Sequence, residues 1–297
     1  MNFPGSITII SDEISQEIAE AVRFVSEFHL PGIELRSMFG RAFKDLTPGD
    51  VATIRRVADG EGWRIFGCAS PVFKCDLADA AAVEASVEEF KRSVAVARGL
   101  QCDLVRVFTF LLRPGDENGA RLPRIAAQLE RLAKIAAEAQ VRIGIENEYS
   151  CAVATGEELT ALFALLNDPR MGIVWDPCNM LYLTHAPSEV TEAFAALAPR
   201  IFHVHAKDAT RSQTSAGDFH ASAMPVGLGD VGWRGHLAQI RRSGYRGMLS
   251  LETHWRVEQL DEEMLHLPAG YAFSKGGAEA SRTCLRNLQA MLATNGI

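Results

Sequence analysis

Four short runs each end an apolar stretch on residues able to hold a cation or move a proton. They are IENE with Glu146, WDPCN with Asp176, HVHAKD with His203 and His205, and LETH with Glu252. One acid at the end of an apolar run is weak evidence, because it commonly caps a helix or pairs with a basic residue. Three carboxylates and an imidazole brought to one place would repel unless a divalent cation sat among them. Such an oxygen-rich set favours manganese first, with magnesium or cobalt close behind; zinc is less favoured because no thiolate accompanies it. Whether the four meet depends on the elements that carry them.

Those elements recur along the whole chain. Apolar, β-branched runs at 6–11, 32–36, 64–69, 103–109, 142–147, 171–176, 201–206 and 247–252 read as strands. Helical periodicity lies between them. In PRIAAQLERLAKIAAEAQ, the residues Ile125, Leu129, Leu132 and Ala136 share one face, and DVATIRRVADGEG ends in glycines that stop a helix. Eight strand–helix units in 297 residues predict a single (β/α)8 barrel spanning 1–297. A doubly wound sheet would show a glycine-rich turn after its first strand, and SDEISQE is not one.

Alternation inside the strands sets the faces. Ile143 and Ile145 oppose Arg142, Gly144 and Glu146; Ile173 and Trp175 oppose Gly172, Val174 and Asp176. Phe202 and Val204 oppose His203 and His205, Leu249 and Leu251 oppose Ser250 and Glu252, and Ile33 and Leu35 oppose Glu34 and Arg36. With the apolar set against the helices, the polar set points inward. Glu146, Asp176, His205 and Glu252 then converge at the C-terminal end of the barrel, where active sites of this architecture lie.

These four motifs, in this order over essentially the whole chain, resemble the xylose-isomerase-like TIM-barrel superfamily, which includes sugar-phosphate isomerases and epimerases. The resemblance implies that Glu146, Asp176, His205 and Glu252 hold one divalent metal ion. It also implies that Glu146 and Glu252 are the proton-transferring pair, and that Arg211, six residues after His205, orients the substrate. One position departs from the ketose 3-epimerases of that group: Asn179 stands where they carry a histidine. Asparagine can hydrogen-bond a hydroxyl but cannot carry a proton. The expected activity is an isomerase or epimerase acting on a sugar, keto-sugar or sugar phosphate through a metal-stabilised enediolate. The alternative is a lyase or dehydratase on a keto-sugar, keto-glycoside or cyclitol, which shares the first step.

Other polar residues have two readings each. Lys207 is a substrate contact or an ion-paired lysine, and Arg36 a substrate contact or a structural partner of nearby acids, as is Glu34. His203, two residues deeper than His205, reads as a hydrogen-bonded interior histidine rather than a ligand. Glu148 and His254 are substrate contacts or loop residues, Asp208 a loop-capping acid, and Lys74 and Phe73 pocket lining. The glycines of PVGLGDVGW could cradle a phosphate. The plainer reading is a loop ending near Asp230, expected as the approximate N-cap of the next helix. HLPAGYAFSKGGAEAS, at 266–281, is expected to cover the site or to contact a second subunit of a homo-oligomer.

A net charge of −7 argues against a nucleic-acid partner, and the scattering of only eight histidines argues against a multinuclear zinc phosphodiesterase. The first residues lack a basic segment followed by an apolar run, and no apolar stretch reaches about 18 residues, so neither a signal peptide nor a membrane span is expected. The six cysteines form no Cys-x-x-Cys pair and read as free thiols of a cytoplasmic protein.

Overall fold

The computed structural model describes residues 6–113, 118–183, 187–213, 219–258 and 273–294. Eight parallel strands make one sheet: β1 (Ser6–Ile9), β2 (Gly32–Leu35), β3 (Arg64–Ala69), β4 (Leu104–Val107), β5 (Arg142–Glu146), β6 (Met171–Trp175), β7 (Ile201–Ala206) and β8 (Met248–Leu251). From β2 to β8 each pairs with the next strand in sequence, and β8 pairs with β1. A parallel bridge between Ile10 and Glu34 brings β2 back to β1, so the sheet curls into a nearly closed (β/α)8 barrel. The surrounding helices are α1 (Ile18–Glu27), α2 (Pro48–Glu61), α3 (Ala80–Gly99), α4 (Asn118–Ala139), α5 (Gly156–Phe163), the short α6 (Pro177–Leu181), α7 (Pro187–Leu197), α8 (Trp233–Arg242) and α9 (Gly277–Thr294).

Local chemistry explains the boundaries. Thr47 and Thr155 open α2 and α5 with reciprocal capping boxes to Asp50 and Glu158. Gly62 closes α2 at φ 71°, a left-handed conformation that suits glycine. On α4, Ile125, Leu129, Leu132 and Ala136 are all fully buried against the barrel, the face expected from their spacing. Among the described residues no helix is long and apolar enough to cross a membrane. Of the segment 266–281, residues 266–272 lie outside the described residues, and the remainder supplies Phe273 and the start of α9.

Two register shifts adjust the faces. Ile173 pairs with Ile201 but Val174 with His203, leaving Phe202 as an extra residue in β7. Likewise Ile33 pairs with Ile65 but Glu34 with Gly67, leaving Phe66 extra in β3. Strict alternation through Phe202 is therefore wrong. Phe202 does not share the face of Val204; its ring lies where a Cβ on Gly172, of inward parity, would stand. The bulge keeps Ile201 and Val204 with the outward Ile173 and Trp175 while His203 and His205 face inward.

Behind β6 and β7, His236 of α8 is fully buried and accepts a hydrogen bond from Trp175 Nε1 at 3.1 Å. Burial pushes its imidazole down to about 3. A histidine depressed in the folded state stabilises above its unfolded value near 6.5, and that stability drains as pH falls towards 3. His236→Gln should remove much of this acid sensitivity. Urea unfolding at pH 7 and pH 4.5 should show a smaller loss for the variant than for the wild type, by on the order of 2 kcal/mol. Equal losses would contradict a neutral buried imidazole.

Candidate metal centre

The C-terminal ends of β5, β6, β7 and β8 deliver Glu146, Asp176, His205 and Glu252 to one spot. One ligand atom from each lies within 4.8 Å of every other, and all four residues are buried. Asp176 follows β6 directly and caps α6. Its Oδ1 accepts the amides of Cys178 at 2.8 Å and Asn179 at 3.3 Å, which leaves Oδ2 for the cluster. The capping role and a ligand role are therefore compatible, one oxygen each. Asn147 ties the two strand ends: its amide donates to Asp176 O at 2.8 Å and its Oδ1 accepts Asp176 N at 2.8 Å.

His205 shows why one histidine of the pair reaches the cluster and the other does not. Its Nε2 is 3.2 Å from Glu34 Oε1, while the deeper His203 Nε2 is 2.8 Å from Glu34 Oε2. Glu34 thus bridges both rings and turns His205 Nδ1 towards Glu252 Oε2 at 3.2 Å and Glu146 Oε1 at 3.6 Å. A carboxylate behind a metal-binding histidine fixes ring orientation and strengthens the ligand. His203 is interior support, and Glu34 is the second carboxylate layer. Glu34→Gln should weaken metal binding by about 10–100-fold while the barrel stays folded, read by calorimetric titration of the chelator-stripped protein. Unchanged affinity would mean that Glu34 merely fills space.

The electrostatics ask for a positive charge. Burial works against ionised His205, yet Glu34, Glu146 and Glu252 together hold its pKa well above the usual imidazole range. Burial would raise Glu146, but Arg106 and His205 hold it at about 2. Burial likewise opposes Glu252, which Lys207 and His205 keep well below the carboxylate range. Asp176 goes the other way: burial, with Glu252 and Glu146 nearby, pushes it up to about 6 against the pull of Lys207. Among the described residues, Asp176 Oδ2, His205 Nδ1 and Glu252 Oε2 make no hydrogen bond although buried. Of these, Asp176 Oδ2 meets only the Lys207 ammonium, at 2.6 Å, and His205 Nδ1 and Glu252 Oε2 face each other at 3.2 Å, so three under-satisfied donor atoms converge where a cation would satisfy them. The residues present fit a divalent metal.

The remaining candidates separate. Lys207 Nζ contacts Asp176 Oδ2 at 2.6 Å as an ion pair, lies 3.8 Å from Glu252 Oε2, and donates to Asn179 Oδ1 at 3.1 Å. Asn179 in turn donates to Asn147 O at 2.7 Å and lies 3.4 Å from Glu146 Oε1. Arg36 is spent on acids: Nη1 on Glu252 Oε1 at 2.5 Å, Nε on Asp12 at 2.9 Å and Nη2 on Glu13 at 2.9 Å. Its structural reading is what the geometry shows. Arg211 lies apart, on a hairpin formed by Asp208–Gln213 and Phe219–Met224 that grows out of the loop after β7. Its guanidinium makes no described contact with the four ligands, and its backbone amide donates to Asp230 Oδ2 at 2.7 Å. Asp230 is therefore not a helix cap; Gly232 holds that position in α8 without a side-chain cap, and Asp230 pins the hairpin instead.

Glu148 pairs with Lys74 at 3.3 Å. His254 Nε2 is 3.5 Å from Glu252 Oε1, and its ring stacks on Phe273 at 4.4 Å. Phe73 is buried and stacks on Phe110. Asp208 is the loop-capping acid expected. Its carboxylate collects the amides of Ala209, Gly227, Gly229 and Val231 at 2.9–3.2 Å. The glycine loop is thereby filled by the chain's own anion, and the phosphate-cradle alternative for it fails.

Three charged residues escaped the sequence reading. Arg106 on β4 donates to Glu146 Oε2 and lies 4.2 Å from the Phe108 ring. Its parity matches that of Gly144, so a charge inside LVRV was a usable signal. Asp12 and Glu13 sit in a 3-10 turn after β1, where no alternation exists to reveal them. Burial pushes Glu13 up to about 7 despite Arg256 and Arg36.

Known proteins agree with this architecture. The IOLI protein with a bound zinc atom superposes with TM-score 0.75 at 16% identity, over 97% of this chain and 98% of that one. A probable 3-DHS dehydratase, AsbF, from Bacillus anthracis gives 0.73 at 16% identity, over 96% and 98%. D-allulose 3-epimerase from Methylomonas sp., in complex with D-allulose, gives 0.68 at 17% identity, over 97% and 99%. No curated protein sequence matches significantly. The sequence model of the xylose isomerase-like TIM barrels matches residues 22–289, and the chain belongs to that family.

Proposed function

We propose that the protein is a divalent-metal-dependent isomerase or epimerase of a sugar or keto-sugar. The observation that carries this reading is the buried convergence of Asp176 Oδ2, His205 Nδ1 and Glu252 Oε2 beside Glu146, with ligand atoms within 4.8 Å of one another. Glu146, Asp176, His205 and Glu252 hold the metal, with manganese preferred for a set of three carboxylates and one imidazole. A divalent ion there supplies Lewis acidity to a neighbouring carbonyl and hydroxyl, acidifying the adjacent C–H enough for carboxylates of low pKa to act on it.

The chain's own residues do the rest. Arg106 and Arg36 each anchor one oxygen of Glu146 and Glu252, leaving the other oxygen to face the cluster. One glutamate removes the proton and the other returns it. Burial of the pair keeps bulk water off the enediolate during turnover, while the returning glutamate draws its proton from solvent between turnovers. Lys207 and Asn179 present an ammonium and an amide to substrate oxygens, while Arg211, apart on the hairpin, is left to the outer part of the substrate. An unphosphorylated substrate fits better, because Asp208 already occupies the loop amides that a phosphate would use.

A lyase on a keto-sugar, keto-glycoside or cyclitol is the second reading. It is favoured by Asn179, which holds an ammonium beside the carboxylates instead of supplying a second titrating ring. The likeness in fold to AsbF, a probable 3-DHS dehydratase, supports this second reading. Turnover of a candidate ketose in D₂O separates the readings. Deuterium at the carbon next to the carbonyl, with all oxygens retained, is the isomerase result; loss of water or of an alkoxy group is the lyase result. Product without any exchange would overturn proton abstraction altogether.

A further inference from the structure

Lys207 and the metal draw on the same atoms. Asp176 Oδ1 is occupied by two backbone amides and Glu252 Oε1 by Arg36, so only Asp176 Oδ2 and Glu252 Oε2 remain for a cation. Those two oxygens are the ones nearest the Lys207 ammonium, at 2.6 and 3.8 Å. The ammonium is buried, its side chain 6% exposed, so water does little to screen it. It has a second acceptor, Asn179 Oδ1 at 3.1 Å, which does not belong to the ligand set.

We propose that Lys207 is a built-in competitor of the metal. In metal-free protein its ammonium holds Asp176 and Glu252 together and offsets their repulsion. When a divalent ion binds, the ammonium gives up Asp176 and keeps Asn179, which moves it towards the substrate. The inference rests on the metal reading above and adds that the affinity is set below what four ligands alone would give. Asn179 acquires a role in this arrangement: it is where the displaced charge is held.

The competition works in both directions. Removing the ammonium relieves repulsion with the incoming ion, so metal should bind more tightly. It also leaves Asp176 and Glu252 unneutralised, so metal-free protein should melt at lower temperature and gain more on metal addition. A lysine that only braces the fold would lower the melting temperature without tightening the metal.

The test is calorimetric titration of Mn²⁺ into chelator-stripped wild type, Lys207→Met and Lys207→Arg, with melting curves before and after metal. Lys207→Met is expected to bind Mn²⁺ about ten-fold more tightly than wild type, and Lys207→Arg, which keeps the charge, to stay within about three-fold of it. Equal or weaker binding by Lys207→Met overturns the proposal. Wild type that binds no Mn²⁺ overturns the metal reading itself, a different outcome. If stripped Lys207→Met does not stay folded, the loaded variant is taken from Mn²⁺-supplemented cells and challenged with EDTA. Slower loss of metal than in wild type supports the competition, and equal or faster loss refutes it.

Discussion

Glu146→Gln combined with Glu252→Gln should yield a folded barrel carrying less than about a tenth of an equivalent of divalent metal, where the wild type carries about one. Two of three anionic ligands are lost, and the amides that replace them are weak donors to a hard cation. Turnover should fall by about a thousand-fold or more, because the variant loses the Lewis acid and both proton-transferring groups together. Metal analysis and circular dichroism of the same preparation check both halves. A wild type free of metal and indifferent to EDTA would sink the site assignment, as would a double variant that keeps its ion.

Arg106→Met should have the second-largest effect, and on stability as well as rate. Arg106 and Glu146 are both buried, with side chains 8% and 3% exposed. Removing one partner of such a pair strands the other, at a cost of about 3–5 kcal/mol. The pH dependence carries the signature. Glu146 is held at about 2 in the fold, against 4.5 ordinarily. Its contribution is therefore present above pH 4.5 and lost as pH falls towards 2. Without Arg106, burial, the largest influence on the carboxylate, outweighs the remaining pull of His205 and pushes it upwards. The variant should then lose stability as pH rises from acid towards neutrality, the reverse slope. Urea unfolding of metal-stripped protein at pH 4 and pH 7 reads that sign, and Arg106→Lys should restore part of it. Parallel pH curves for wild type and Arg106→Met would show that the guanidinium does not govern Glu146.

The eight strands were legible because each is a short β-branched run, and the cluster of Glu146, Asp176, His205 and Glu252 because alternation puts a polar residue at the end of each of four successive runs. His205 and His203 were separable by depth, and Glu34 below them supplies the physical reason. Arg106 obeyed the same alternation but was hidden between valines of a strand that seemed merely apolar. Asp12 and Glu13 could not be read, since a 3-10 turn has no two-residue period. Arg36 was found as an inward residue; only coordinates reveal that three acids claim its guanidinium. The helix cap expected at Asp230 failed because a hairpin amide took the carboxylate first.

The extra residue at Phe202 acts as a phase shifter for the strand that carries both histidines. Upstream of it the chain is in step with β6 from Ile201; downstream it is in step again from His203, one residue late. A deletion of Phe202 keeps every ligand in the protein and changes no side chain at the centre. Because Ile201 already pairs with Ile173 and His203 with Val174, that deletion closes the bulge and leaves Ile201 outward and both histidines inward. Loops around a barrel usually absorb a one-residue change; here the strand itself absorbs one at Phe202, whereas the same deletion at Val204 would turn one of the two histidines away from the centre.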